Sequence, residues 1–407
     1  MAQVVIVGGG PTGATLALLL VKRGIAVKLV EASRDFKRLF RGEGLMPSGL
    51  DALKQMNLWE LVANIPHQSI DAWEVLLNGK SLFRVDEPIE IDGESCTTVS
   101  QPHLLEAIIK KAQTYSQFEL IQGEPVKDLV AVENRIQGVK LISEREIFGD
   151  LVIAADGRNS IIRNKANIHL TKLQNSIDIL WFKLDSGLLK KSKNTFYSIV
   201  KERNAFGLFR GSGNKLHIGW GLHTDDDRNW KEIDWAKKLA ATSPDWLAKH
   251  IQTHQESLTK PMLLSVVVGR CDRWYQSGLL LLGDAAHPMS PIRAQGINMA
   301  FRDAIVAANH LVPLLSQSEI DFKAMPTASF AIDAVLPLIQ QAREPEIIRI
   351  QKLQAQEMAQ AELLHNSAVL RWGATTFRAI VRPGIRASWL RRQKQMRQGV
   401  TDVRLTV

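Results

Sequence analysis

Residues 4–31 constrain this chain more than any other stretch. Val4-Val5-Ile6-Val7 is apolar and β-branched, the composition of a strand buried on both faces of a parallel sheet. Gly8, Gly10 and Gly13 follow with the spacing GxGxxG, and Thr12 to Lys22 has the pattern of a helix with Leu16, Leu19 and Leu20 on one side. Gly24 ends that helix, Ile25 to Val30 is a second strand, and Glu31 closes it. A dinucleotide needs these parts in this order. Gly8 allows the tight turn, Gly10 lets backbone approach a pyrophosphate, and Gly13 lets helix and strand pack closely. The helix N-terminus attracts phosphate, and Glu31 can accept ribose hydroxyls. An isolated GxGxxG is often an ordinary turn; here strand, helix, strand and acid arrive together.

The 407 residues suffice for more than one core, and 45% hydrophobic with 23% charged residues is the balance of a globular protein. Cys96 and Cys271 are far apart, which points to a reducing, cytoplasmic setting and to neither a disulfide framework nor a metal. The first strand starts within a few residues of Met1, so no signal peptide is expected, and no apolar run is long enough to span a bilayer. The net charge of +9 is local. No Asp or Glu lies between Leu363 and Thr401, where Arg371, Arg378, Arg382, Arg386, Arg391, Arg392, Lys394 and Arg397 fall; residues 1–362 carry a net of only +1. One basic tail without a recognisable module argues against a nucleic-acid partner.

Further along, a charged loop leads to Phe40-Arg41-Gly42-Glu43-Gly44, and a helix starts at Pro47-Ser48. Asn78-Gly79 between apolar runs signals a hairpin of Trp73–Leu77 with Ser81–Val85. Gln101-Pro102 opens an amphipathic helix, 126–132 and 135–142 form a second hairpin, and Leu151 to Ala155 is a buried strand. Residues 175–270 are mostly strand-like, at 177–184, 195–200, 206–210, 216–222 and 263–268, with one helical insertion at about 230–250. Leu279 to Leu282 resumes the buried-strand pattern, and the chain reads as helical from Gly296.

Two motifs follow buried strands directly. One is Asp156-Gly157-Arg158-Asn159-Ser160-Ile161-Ile162-Arg163, the other Gly283-Asp284-Ala285-Ala286-His287-Pro288. Each places an aspartate at the carboxyl end of a strand, where open α/β sheets bind ligands. A helix beginning near Gln295-Gly296-Ile297-Asn298 could turn its N–H groups toward developing negative charge.

These three motifs, in this order and spacing, resemble the single-component FAD-dependent aromatic hydroxylases, the para-hydroxybenzoate hydroxylase-like family. The match runs from residue 4 to 304; between the motifs it is one of texture. The resemblance implies an α/β architecture: a Rossmann-type FAD-binding domain over 1–174 and 271–320, a β-sheet substrate domain inserted at 175–270, and a helical C-terminal region at 321–407. It implies that Thr12 and Gly13 bind the FAD pyrophosphate, Glu31 the adenosine ribose, and Asp284 the ribityl chain. Arg41 and Gln101 match positions that help hold FAD, and Val126 would offer its backbone near adenine. Asp156 and Gly157 belong to a motif associated with FAD and NAD(P)H. Gly296, Ile297 and Asn298 would face the N1–C2=O edge of the flavin, where reduced flavin carries negative charge.

The implied reaction takes a hydride from NADH or NADPH, forms a flavin C4a-hydroperoxide with dioxygen, and hydroxylates or epoxidises an apolar aromatic or quinone/polyprenyl-like molecule. A flavin reductase or cyclase without oxygen insertion, and a non-catalytic flavin-bearing binding protein, stay open as alternatives. One departure stands out. Relatives commonly carry a glycine pair after Pro-x in the third motif, whereas here Pro291-Ile292 precedes Arg293-Ala294. If that loop requires positive φ, Arg is unfavourable there; Arg293 is either a tolerated loop residue or a cation beside flavin or substrate.

His287 reads as a structural histidine within its turn, and His217 and His223 as sheet or pocket residues. Trp181, Phe196 and Phe209 suit either a pocket or a core. In the tail, Arg371, Arg378, Arg382 and Arg386 share a helical face near Leu370, Phe377, Ile380, Val381 and Ile385, with Pro383-Gly384 as a break or kink. Two readings are open: contact with an anionic membrane surface, or a helix docked on its own domain with arginines in water.

Overall fold

The computed structural model describes residues 2–36, 43–173, 177–222, 229–316 and 326–407. Its centre is a six-stranded sheet in the order Tyr275–Gln276, Leu279–Leu281, Leu151–Ala154, Gln3–Val7, Ala26–Glu31, Phe118–Gln122. All neighbours run parallel except the edge hairpin at Tyr275. Val4 to Ile6 are fully buried because both faces of the sheet are covered, as the unbroken apolar run requires. On one face lies the Pro11–Val21 helix, buried from Thr12 to Val21, with the Gln101–Ala112 and Gln295–Leu315 helices against it. On the other lies the antiparallel sheet Val126–Val132, Arg135–Leu141, Glu146–Phe148.

The parallel register gathers the three motifs. Gly8 N–H donates to Val30 O, Ala155 N–H to Val7 O and Leu282 N–H to Ala154 O. The residues after each strand therefore sit at one edge, in neighbouring positions.

A seven-stranded sheet forms the second body, in the order Met262–Leu264, Ile179–Asp185, Lys215–Gly221, Asn204–Arg210, Thr195–Lys201, Ala72–Leu77, Lys80–Asp86. The hairpin around Asn78-Gly79 is present, with both turn residues at positive φ. It does not stay with the first domain: Ala72–Leu77 pairs parallel with Thr195–Lys201. The sheet thus draws strands from outside 175–270. The helical insertion is two helices, Trp235–Thr242 and Asp245–Thr253, separated at Ser243-Pro244. Period-two alternation gives the sheet two faces. Leu180, Phe182, Leu184, Ile218 and Trp220 pack with Trp235, Leu239, Leu247 and Ile251 of that helix pair. The other face, with Trp73, Trp181, Phe196, Phe209 and His217, is left for a different partner.

The C-terminal region is helical: Pro326–Asn366, Ala368–Thr376 and Arg378–Gln398. The last helix runs through Pro383 without ending there. Among the described residues, no helix is long and apolar enough to cross a membrane.

Candidate functional site

Glycine at each position of the first motif has a local reason. Gly8 has φ 102°, and a Cβ there would lie 2.4 Å from Ala155 O. A Cβ on Gly13 would fall 2.0 Å from Gly8 O, so only glycine lets the helix close onto the strand. At Gly10 a Cβ would meet no protein atom within 4 Å; the backbone there looks outward. Gly10 is also the N-cap of the Pro11–Val21 helix, which no side chain caps. Its leading N–H groups remain available to an anion.

Glu31 is buried at the end of its strand and accepts from Gly9 N–H at 2.7 Å and Ser33 N–H at 2.8 Å. The carboxylate is thereby fixed at the mouth of the turn. Gly283 has φ 59°, and a Cβ there would come within 2.4 Å of Thr12 Oγ1, which packs the first motif onto the third. Asp284 lies beside the next helix: a Cβ on Gly296 would be 3.9 Å from its Oδ1. Gln101 is buried at the start of its helix, and Val126 is buried where its strand begins. Arg41 and His223 lie outside the described residues.

In the second motif Asp156 accepts from Ile162 N–H at 3.2 Å through Oδ2, while its Oδ1 is buried with no hydrogen-bond partner among the described residues. Burial pushes its pKa upward. Gly157 has φ 87° and open space where a Cβ would be. Ser160 caps the short Ile161–Lys165 helix by accepting from Arg163 N–H at 2.9 Å. Arg163 does not point to a ligand. Its buried guanidinium donates to Ala285 O and Arg158 O, both at 2.9 Å, and so ties the second motif to the third.

His287 is structural as well. Its Nε2 is 2.8 Å from Asp303 Oδ2, which also accepts Gly283 N–H at 3.1 Å. Asp303 Oδ1 accepts from Arg343 at 2.7 Å; Arg343 pairs with Glu346, and Glu346 with Arg302 at 2.9 Å. Two acids and two arginines, all buried, balance one another behind the third motif. Burial alone would raise the Glu346 pKa, but Arg343 and Arg302 outweigh it and hold the carboxyl at about 2. Nothing in the local sequence announces this cluster, since its members lie up to 44 residues apart on two helices.

The Pro291–Asn298 loop resolves the departure. Arg293 (φ 58°, ψ 26°) and Ala294 (φ 50°, ψ 34°) are both left-handed, the conformation for which a glycine pair would be suited. Three amide side chains hold it. Gln354 donates to Ser290 O and Ile292 O, Gln295 to Arg293 O, and Asn298 to Ala294 O and Gly44 O. Asn298 Oδ1 accepts from Met46 N–H at 2.9 Å. The Asn298 side chain is thus a brace, and what this end of the Gln295–Leu315 helix offers a ligand is backbone N–H; no side chain caps it. The Arg293 guanidinium pairs with Glu357 and lies over three rings: Trp73 at 4.8 Å, Trp389 at 5.2 Å and Phe196 at 5.8 Å. It is 8% exposed.

From that cage an aromatic row runs along the inner sheet face. Trp73 and Phe196 are 4.8 Å apart, Phe196 stacks on Phe209 at 5.4 Å, and Phe209 meets His217 at 5.3 Å. Glycines make room for rings: Cβ atoms on Gly207 and Gly219 would come within 3.2 Å of Phe196 and 2.9 Å of Trp181. Glu43, for which the sequence suggested no role, ends beside this row. A Cβ on Gly211 would touch both Glu43 Oε2 and His217 Nε2. Burial pushes Glu43 upward, against the Ser212 hydrogen bonds, and pushes His217 down to about 3. Both shifts run toward the uncharged form.

These residues fit FAD: two uncapped helix N-termini, glycines facing outward at positions 10 and 157, and a buried Asp156 oxygen still short of a partner. The fold and site are those of an FAD-dependent monooxygenase. Residues 1–319 match the FAD binding domain family, and the chain belongs to it. It is 30% identical over 323 residues to 6-methylpretetramide 4-monooxygenase of Streptomyces rimosus, covering 75% of this chain and 74% of that protein. It is 24% identical to the 3-demethoxyubiquinol 3-hydroxylase of Escherichia coli K12 over 335 residues, 78% and 81% of the two chains. Among solved structures it superposes on Pseudomonas aeruginosa PqsL, in complex with 2-aminobenzoylacetate, with a TM-score of 0.73 at 20% identity, over 90% of this chain and 98% of that one.

Proposed function

We propose that this monooxygenase uses NADH or NADPH and dioxygen to hydroxylate or epoxidise an apolar, ring-bearing small molecule held against the aromatic row. The observation that carries the reading is the row itself. Trp73, Phe196, Phe209 and His217 follow one another on the sheet face that turns toward the Pro291–Asn298 loop. Aromatic surfaces hold flat apolar molecules by area and by offset or edge contacts. FAD, when bound, supplies the redox chemistry, accepting hydride and activating dioxygen.

The chain's own part is binding, positioning and exclusion of water. The Gly8–Gly13 turn and Thr12 hold the pyrophosphate, Glu31 the ribose, and Asp156, Gly157 and Asp284 the middle of the cofactor. Gln101 and Val126 complete its flanks, and the family resemblance assigns Arg41 the same role. Backbone N–H groups of Gly296, Ile297 and Asn298 stabilise negative charge on the reduced ring. Glu43 and His217 lie together at the end of the row, where they offer polar contacts to a substrate.

A ligand screen tests the proposal by following NADH and NADPH oxidation under labelled dioxygen. A ligand that speeds oxidation and emerges with one labelled oxygen supports it. Stimulated oxidation with no label in the product overturns it in favour of a reductase or cyclase. No stimulation across apolar aromatics and quinones favours a binding protein.

A further inference from the structure

We propose that the Ala368–Thr376 helix and the first half of the Arg378–Gln398 helix form a docking surface for an anionic lipid bilayer. The two readings of the basic tail apply to different segments. From Trp389 onward the last helix is docked: Trp389, Gln393, Met396 and Arg397 are buried, and Arg397 pairs with Glu87 and Glu90. Arg392 donates to Ser388 and Gln360. Before Trp389 the same helix leaves the body, and every residue from 376 to 387 except the half-buried Val381 is exposed.

What it exposes is not ordinary surface. Val369 is 75% exposed, Trp372 62% and Ile380 77%, with Leu370, Phe377 and Ile385 beside them. Trp372 and Phe377 meet edge to face at the junction of the two helices. An apolar cluster of this kind marks a contact surface. Exposed Arg378, Arg382 and Arg386 share the projection, and no acid lies between residues 363 and 401 to neutralise them. Aromatic and aliphatic side chains among arginines are what a helix lying in a headgroup region needs. The uniform charge argues for lipid over a second copy, because an isologous contact would set arginine against arginine.

The projection also stands next to the aromatic row. Its base, through Val381, Trp389 and Leu390, packs in the same cluster as Trp73, Phe83, Phe196 and Phe209. If the row binds an apolar substrate, as proposed above, the bilayer can deliver it there; the docking surface does not depend on that step.

The test is vesicle cosedimentation of the FAD-loaded enzyme without substrate or reductant, so that its failure leaves the monooxygenase reading untouched. Vesicles of phosphatidylcholine alone are compared with equimolar phosphatidylcholine and phosphatidylglycerol. Two variants are used, R378Q/R382Q/R386Q and W372S/F377S/I380S. All six positions are exposed, so FAD content and melting temperature check folding in each, and either variant alone keeps the proposal testable. The expected result is binding to the anionic vesicles that weakens with salt, and falls roughly a hundredfold when three arginines are neutralised. The serine variant should bind weakly even at low salt. Wild-type enzyme that ignores anionic vesicles, or variants that bind as wild type does, would overturn the proposal. So would an oligomer that the serine variant dissociates while vesicle binding stays unchanged.

Discussion

Replacing Arg293 by glycine sets two effects of opposite sign against each other. The substitution relieves a left-handed residue, worth about 1–2 kcal/mol. It also removes the guanidinium from Glu357 and from the faces of Trp73, Trp389 and Phe196. Arg293 and Glu357 are only 8% and 16% exposed, so breaking the pair leaves a largely buried carboxylate, at about 3–5 kcal/mol. Glu357 would keep one hydrogen bond, from Gln393 at 3.3 Å. The net expectation is a loss of about 1–4 kcal/mol. Glu357→Gln reverses the balance, because Arg293 is then the group left unpaired. In that background Arg293→Gly should be neutral or stabilising. Denaturant unfolding of the four proteins of this cycle measures both numbers. If R293G alone is as stable as wild type, the cage does not hold the arginine and the left-handed loop has some other support.

Four further outcomes are expected. Gly13→Ala puts a methyl 2.0 Å from Gly8 O and should strip FAD from the purified protein, read as the ratio of flavin to protein absorbance. The Glu346 carboxyl, held at about 2 against an ordinary 4.5, contributes about 3 kcal/mol that is present above pH 4.5 and lost as pH falls toward 2; Glu346→Gln should remove that acid limb from the stability profile. Cys96 and Cys271 are buried, with burial pushing their thiols up to about 12 and about 11, so a thiol reagent should label neither until the protein unfolds. Truncation before residue 366 should lower FAD retention, whereas the exposed substitutions at 372–386 should leave it at the wild-type level, measured on the same absorbance ratio.

The strand, turn and helix geometry around the three motifs is legible because its constraints are local. A strand that must be buried on both faces, a turn that tolerates only glycine and an uncapped helix each leave a mark within about ten residues. Gly8, Gly13, Asp156 and Gly283 could be read for that reason. The loop at Arg293 was half legible: the unusual residue pair was visible, but whether the backbone was left-handed depended on Gln354 and Glu357, sixty residues away. The seven-stranded sheet extends beyond 175–270 because the Ala72–Leu77 hairpin joins it by parallel pairing to Thr195–Lys201, a contact with no local signature. Arg163 and His287 were noted within their motifs, yet their partners, Ala285 O and Asp303, decide that both are structural.

The same reasoning ties the tail to the cofactor. Residues 399–401 lie beyond the stretch that matches the family, yet they complete its innermost polar cluster. Glu346 accepts from Val400 N–H at 2.6 Å, and Arg302 donates to Thr401 O at 2.6 Å. Through Arg343 these groups reach Asp303, and Asp303 holds Gly283 N–H and His287 in the third motif. Remove the tail and Glu346 loses two backbone donors, in a site where a buried charge keeps its place only if its partners stay. The third motif would then lose the support behind Gly283, whose φ of 59° needs fixed neighbours. A segment that looks like an appendage is thus part of what shapes the FAD site, and only its projecting middle, ahead of Trp389, is available for a surface outside the protein.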